Sequence, residues 1–242
     1  NRVFFIMLTI DQFSKEPYGV LDTEEDPPRY PYARPSLKIS LMPEKEVARE
    51  GILPNSLFIG KIFIRPDRLD LHDEYLPSCM TIKSHSRLIG FHSIVEKFYN
   101  QLELNILSII SKIKEKGQDS TLATSVMGLA QSILGFLSVN SLKVKWQLID
   151  QPPVYLCENI AGFARIIRNS IDCNTAAHKE ELLNYFTTWS ELKQGDFEKL
   201  LVYCINFEYN HNEISISIDQ FTEFIQILTV LFAKLESLTY IG

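Results

Sequence analysis

The stretch from Tyr75 to Ile113 constrains this chain more than any other. A proline-bearing extended segment, YLPSCMTIK, runs directly into an apolar-striped helix of roughly thirty residues. Near Thr81 the spacing of apolar residues changes from two to three-and-four. That change separates two unlike halves, since side chains alternate along a strand and return every 3.6 residues along a helix. The fold class expected is α+β. Residues 1–79 form a partial antiparallel β-sandwich, and residues 80–242 form an antiparallel four-helix-type bundle.

The N-terminal half reads as strands divided by proline-rich loops. RVFFIMLTI (Arg2–Ile10) is a β-branched and aromatic run. In SLKISLMP, Leu37, Ile39 and Leu41 alternate with Lys38 and Ser40, which predicts a half-buried strand. SLFIGKIFI (Ser56–Ile64) is a third strand, with Gly60 marking a bulge or a close backbone approach. Three strands do not close a sandwich. Asn1 is not a start residue, so an N-terminal portion or another subunit is expected to supply the rest. Between the first two strands, Asp11–Pro35 is acidic and proline-rich. Pro27, Pro28, Pro31 and Pro35 exclude a helix and favour an extended arm, in which Pro27, Pro28, Tyr30, Pro31 and Tyr32 are candidate partner-binding residues.

The first long helix starts at Ser84 or Ser86 and buries Leu88, Phe91, Val95, Phe98, Leu102, Ile106, Ile109 and Ile113. Leu104, Leu107 and Ile110 lie off that stripe. The helix is therefore apolar on more than one side, and these three residues are the candidate oligomer interface. Gly117 ends it, and Asp119 or Ser120 caps a second helix reaching about Val139. Lys143–Ile149 reads as a short β-like run. A third helix opens at Pro152 and Pro153 and runs to about Ile171. Two shorter helices, His178–Leu192 and Asp196–Phe207, precede a last helix beginning near Asp219.

Composition removes several classes of function. A net charge of −6 argues against nucleic acid as a partner, because phosphate binding needs a basic surface. The four cysteines, Cys79, Cys157, Cys173 and Cys204, have no CxxC spacing and lie in or beside apolar runs. They read as free thiols in a reducing, cytoplasmic setting. Ser120–Leu142 carries no charge and is long enough to span a bilayer, but its Ser, Thr, Gln and Gly content fits a central bundle helix better. No membrane insertion is expected.

Catalytic and metal signals are sparse. DTEED (Asp22–Asp26) gathers four carboxylates in a polar loop, where solvation is the plain reading. Asp70, His72 and Glu74 share one face of an extended segment, a weak metal-ligand pattern. His85 and His92 are seven apart rather than four. Trp146, Trp189 and the other aromatics read as core. There is no G-x-S-x-G, phosphate loop or G-x-G-x-x-G. No enzyme activity, cofactor or metal is expected. The alternative is a regulatory helical domain that binds a small ligand, or a metal at Asp70, His72 and Glu74.

Three strings in order carry a family resemblance. EEDPPRYPYARPSLKISLMPEKE resembles a stretch of TssK, the type VI secretion baseplate adaptor family. LHDEYLPSCMTIKSHSRLIGFHSIVEKFY resembles that family's passage from β domain to helical neck, and FEYNHNEISISIDQFTEFIQIL its Tyr-Asp-His segment and following helix. Ser78, Ser86, Asn210 and Asn212 depart from the family pattern and mark a divergent branch. The resemblance implies a β-sandwich shoulder, a four-helix neck and a homotrimer that contacts other baseplate wedge subunits. The head domain of the family has no counterpart in these residues.

Overall fold

The computed structural model describes residues 2–50, 54–189, 193 and 195–241. Its contacts divide the chain into two units, Asn1–Ser78 and Cys79–Gly242.

The first unit is built on β1 (Arg2–Tyr18), β2 (Tyr32–Pro43), β3 (Ser56–Ile64) and β4 (Leu69–Leu71), with helix α1 (Glu44–Glu50) between β2 and β3. The strands form one antiparallel sheet in the order β2-β1-β3-β4. The four-residue link Arg65–Arg68 between β3 and β4 is closed by a backbone hydrogen bond from Arg65 to Arg68, and this adds a strand beyond the three expected. The ladder slips between Ile6 and Met7, opposite Phe58 and Gly60. The bulge expected at this glycine is present, and a Cβ on Gly60 would stand 3.0 Å from Cδ1 of Ile6, a side chain rather than the close backbone approach that is the other expectation.

Phe5, Met7, Met42 and Phe58 form the core on one face of the sheet, with Val47 and Tyr75 packed against it. The rings of Phe5 and Phe58 stack with centroids 4.6 Å apart. The expected alternation in β2 is present, but its sides are reversed. Leu37, Ile39 and Leu41 are exposed, and Met42 is the β2 residue in the core. The physical reason lies in the register. Leu37, Ile39 and Leu41 pair with Ile10, Leu8 and Ile6, while Met42 pairs with Phe5. Directly paired residues share a face. The sheet therefore carries apolar residues on both faces, and Leu57, Leu69 and Leu71 extend the exposed one.

The second unit is helical: α2 (Ser86–Glu115), α3 (Thr121–Trp146), α4 (Pro153–Asp172), α5 (Ala176–Trp189), α6 (Asp196–Ile205) and α7 (Ile214–Ser237). The stripe predicted for α2 is buried throughout. His85 caps that helix through Nδ1, which accepts from the Arg87 amide at 3.2 Å, and Ser120 caps α3 by accepting from Ala123 at 3.1 Å. The β-like run expected over Lys143–Ile149 does not form. Val144 is fully buried and continues the Ile133–Leu137 spacing, so α3 extends to Trp146 and ends in a 3-10 turn, Leu148–Asp150. Packing outweighs strand propensity there. Residues 190–192 of the helix expected over His178–Leu192 lie outside the described residues.

Phe163 of α4 is the hub of this unit. Its ring meets Phe136 at 5.2 Å, Tyr99 at 5.6 Å, Phe98 at 6.0 Å and Phe224 at 6.3 Å, joining α2, α3, α4 and α7. Arg87 pairs with Asp219 near the starts of α2 and α7, and Lys112 with Glu236 near their ends. These two helices therefore run in the same direction, the chain having returned through α5 and α6. Helices α3 and α7 are long and apolar enough to cross a membrane, and each turns its buried residues into this bundle.

Candidate interaction surfaces

The arm is extended, as expected, but it is a paired hairpin. β1 continues to Tyr18 because β2 pairs along it from Lys15 opposite Pro35 to Tyr18 opposite Tyr32. A register shift between Asp11 and Lys15 makes room for an outward turn, in which Oδ1 of Asp11 accepts from the amides of Phe13 and Ser14. Phe13 is consequently 97% exposed. At the tip, Gly19 adopts φ +110°, and a Cβ there would stand 3.0 Å from Pro31, so this turn requires glycine. Asp22 and Arg29 exchange backbone hydrogen bonds, and Arg29 pairs with Glu25. The carboxylates of DTEED thus stand in an exposed loop. Pro27, Pro28, Tyr30, Pro31 and Tyr32 are all exposed, with Tyr32 opposite Tyr18 and Pro31 against Gly19.

On α2, Leu104 is 62% and Leu107 46% exposed, and Ile110 is partly buried. They follow one another at helical spacing beside the buried stripe, with no charged side chain at any of the three positions.

The weak metal pattern comes apart in the folded chain. Oδ2 of Asp70 pairs with Nε of Arg65 at 3.2 Å and Nε of Arg68 at 3.0 Å, and His72 stacks on Phe63 at 5.1 Å. Among the described residues no three His, Cys, Asp or Glu side chains gather as metal ligands. His92 is buried and its Nε2 lies 2.8 Å from the Val144 carbonyl. In the loop before α7, the Tyr209 hydroxyl lies 2.8 Å from Nδ1 of His211. Burial pushes the Tyr209 phenol up and His211 below the usual histidine value. Both effects favour the neutral forms of the two groups.

Sequence reasoning missed the outer face of α3. Trp146, expected in the core, is 67% exposed with Lys145 over its ring. It stands one helical face away from Val144, which takes the buried position. The available signal was the spacing of Val139, Leu142 and Trp146, which places them together on a face distinct from Ile133, Leu137 and Val144.

The fold of this chain recurs in a solved structure. The chain shares its fold with TssK. A structure of TssK from the type VI secretion system of EAEC, in complex with a nanobody, matches 97% of this chain and 50% of its own length, with a TM-score of 0.55 and 11% identity. A crystal structure of TssK matches 94% of the chain and 48% of its own length, with a TM-score of 0.47 and 14% identity. A type VI secretion TssK-TssF-TssG baseplate subcomplex determined by cryo-electron microscopy matches 93% and 69%, with a TM-score of 0.47 and 10% identity. The chain thus spans about half the length of the first two TssK chains. No family model and no curated protein matches the sequence.

Proposed function

We propose that this chain is the shoulder-and-neck part of a TssK-like, non-enzymatic baseplate subunit of a type VI contractile secretion machine, linking the baseplate wedge to other machine parts from the cytoplasmic side. The observation that carries the reading is the shared fold with EAEC TssK over 97% of this chain. It is supported by the three ordered motifs in EEDPPRYPYARPSLKISLMPEKE, LHDEYLPSCMTIKSHSRLIGFHSIVEKFY and FEYNHNEISISIDQFTEFIQIL. In this reading the protein is a homotrimer. Leu104, Leu107 and Ile110 of α2 form the subunit contact, because an exposed apolar helix face is favourable only when covered. The arm residues Pro27, Pro28, Tyr30, Pro31 and Tyr32 engage other wedge subunits. The exposed Leu37–Leu41 face of the sheet is the inner face of a sandwich whose second layer lies in another segment or subunit.

The alternative, a metal at Asp70, His72 and Glu74, gains no support from side chains of which one is held by two arginines and another stacked on phenylalanine. The function is tested by deleting the gene in its host and following a fluorescent sheath protein. Sheath assembly is expected to stop and to return with the wild-type gene but not with Leu104→Asp/Leu107→Asp. Normal sheath assembly in the deletion strain would contradict the proposal.

A further inference from the structure

The outer edge of β2 is a hydrogen-bonding edge of defined length. β2 is the end strand of the sheet and pairs only with β1. Along an antiparallel strand the N–H and C=O of successive residues point to alternate sides. The Ile10 amide donates to the Asn55 carbonyl, on the β3 side, so the alternate residues Phe5, Met7 and Thr9 turn their backbone groups toward β2. Their partners there are Met42, Ser40 and Lys38. The residues between, Leu37, Ile39 and Leu41, therefore direct N–H and C=O away from the sheet. Among the described residues no backbone hydrogen bond from outside the sheet reaches these three.

Two prolines bound this edge. Pro35 and Pro43 belong to the same outward set, one step beyond each end of it. A proline without an N–H is tolerated on the outer side of an end strand and breaks the ladder on the inner side. The open window is symmetric about Ile39: Leu37 and Leu41 stand two residues away and Pro35 and Pro43 four. Leu37, Ile39 and Leu41 are 54%, 66% and 49% exposed. Past the prolines the match extends to charge. Arg34 and Glu44 stand five residues from Ile39 on opposite sides, and each is about half exposed beside the partner it already has, Glu16 for Arg34 and Lys61 for Glu44.

We propose that a second copy of this chain adds its β2 to this edge, antiparallel, about a two-fold axis at Ile39. Leu37 of each copy then pairs with Leu41 of the other, and Ile39 pairs with Ile39. Each pair exchanges two backbone hydrogen bonds, about six in all. Pro35 meets Pro43, so the ladder stops at the same place on both copies. Lys38, the one charged residue between the prolines, faces Ser40 of the second copy, and Arg34 comes beside Glu44. A parallel pair would set lysine against lysine, arginine against arginine and glutamate against glutamate. A strand of another protein would place no demand of symmetry on this window, whereas a two-fold contact requires it. Paired residues share a face, so the exposed apolar faces of the two sheets become one continuous surface. The contact is short and hence reversible, and it uses no residue of α2, so it stands whether or not α2 forms a trimer.

Disulfide trapping in concentrated full-length protein tests the arrangement. All variants carry Cys173→Ser, which removes the exposed native thiol. Ile39→Cys is expected to give a linked two-chain species on oxidation, since bonded partners in an antiparallel pair stand about 5.5 Å apart at Cα, within disulfide reach. Leu37→Cys alone is expected to give none, because its two copies lie about 14 Å apart along the strands. Leu37→Cys combined with Leu41→Cys restores the link. Adding Leu41→Pro to Ile39→Cys removes one outward donor from each copy and leaves the ladder to β1 whole. It is expected to slow trapping roughly tenfold, the effect of losing one hydrogen bond per copy. Absence of the Ile39→Cys link in protein with wild-type circular dichroism would overturn the proposal, whether the edge is bare or taken by another protein's strand. Linking through Leu37→Cys alone, or trapping at Ile39→Cys unmoved by Leu41→Pro, would also overturn it.

Discussion

The Tyr99 hydroxyl donates to Oδ1 of Asn159 at 3.0 Å inside the bundle, and Nδ2 of Asn159 donates in turn to Oδ1 of Asn140 at 2.8 Å. The relay ends where Nδ2 of Asn140 donates to the Phe136 carbonyl at 3.0 Å. Helices α2, α4 and α3 are thus tied in register by one polar chain. Burial pushes the Tyr99 phenol up and keeps it a donor.

Removing the middle of this relay strands two groups at once. Asn159→Ala is expected to cost about 2 kcal/mol and Tyr99→Phe about 1 kcal/mol, because the first leaves two partners unpaired, the Tyr99 hydroxyl and Oδ1 of Asn140, and the second leaves one, Oδ1 of Asn159. Urea unfolding checks the order. Equal losses would mean the relay does not act as a unit.

His92 caps a helix from outside it. The Val144 carbonyl lies in the last turn of α3, where carbonyls have no helical donor, and His92 of α2 supplies one at 2.8 Å. His92→Leu keeps an apolar side chain there but removes the donor. It is expected to cost about 1–3 kcal/mol in thermal or urea unfolding. A loss below about 0.5 kcal/mol would show that this carbonyl finds another partner.

The thiols divide by burial. Cys79, Cys157 and Cys204 are buried, and Cys173 is exposed. Burial pushes both Cys157 and Cys204 up to about 12 from 9.0. Mass spectrometry after brief maleimide treatment is expected to find one label on native protein and four after denaturation. The same shift gives an alkaline limb. The folded chain holds these two protons to about pH 12 while the unfolded chain releases them near 9, so stability falls as pH rises through that window. Stability unchanged between pH 8 and 11 would contradict it.

Self-association through α2 is open to a direct mass measurement. Light scattering on the full-length protein is expected to give three chains, and Leu104→Asp or Leu107→Asp to shift the mass toward one chain without lowering the melting temperature. A stable wild-type monomer at micromolar concentration would remove the α2 contact from the account.

The sequence made some of this legible and hid the rest for physical reasons. The stripe of α2 was readable because Leu88 through Ile113 keep helical spacing without interruption. The Gly60 bulge was readable because glycine inside a strand has few other uses. The buried side of β2 was not, since alternation separates two faces without saying which is covered. That depended on pairing Met42 with Phe5. The start of α7 at Ile214 rather than Asp219 was hidden by ISISI, a β-branched run drawn into helix by the burial of Ile214 and Ile218. Of the candidate surfaces, the arm followed from its prolines and the α2 face from its surplus leucines. The α3 face was masked because Trp146 reads as core when burial is inferred from residue type alone.

Co-purification tests directly whether this chain is part of a baseplate. The full-length protein, tagged and expressed in its host with the other baseplate genes, is expected to retain wedge subunits through size-exclusion chromatography. Exchange of arm residues Tyr30 and Tyr32 for alanine is expected to release them while leaving the protein folded. Isolation of the folded wild-type protein free of every baseplate component, under conditions where those components are expressed and soluble, would contradict the account.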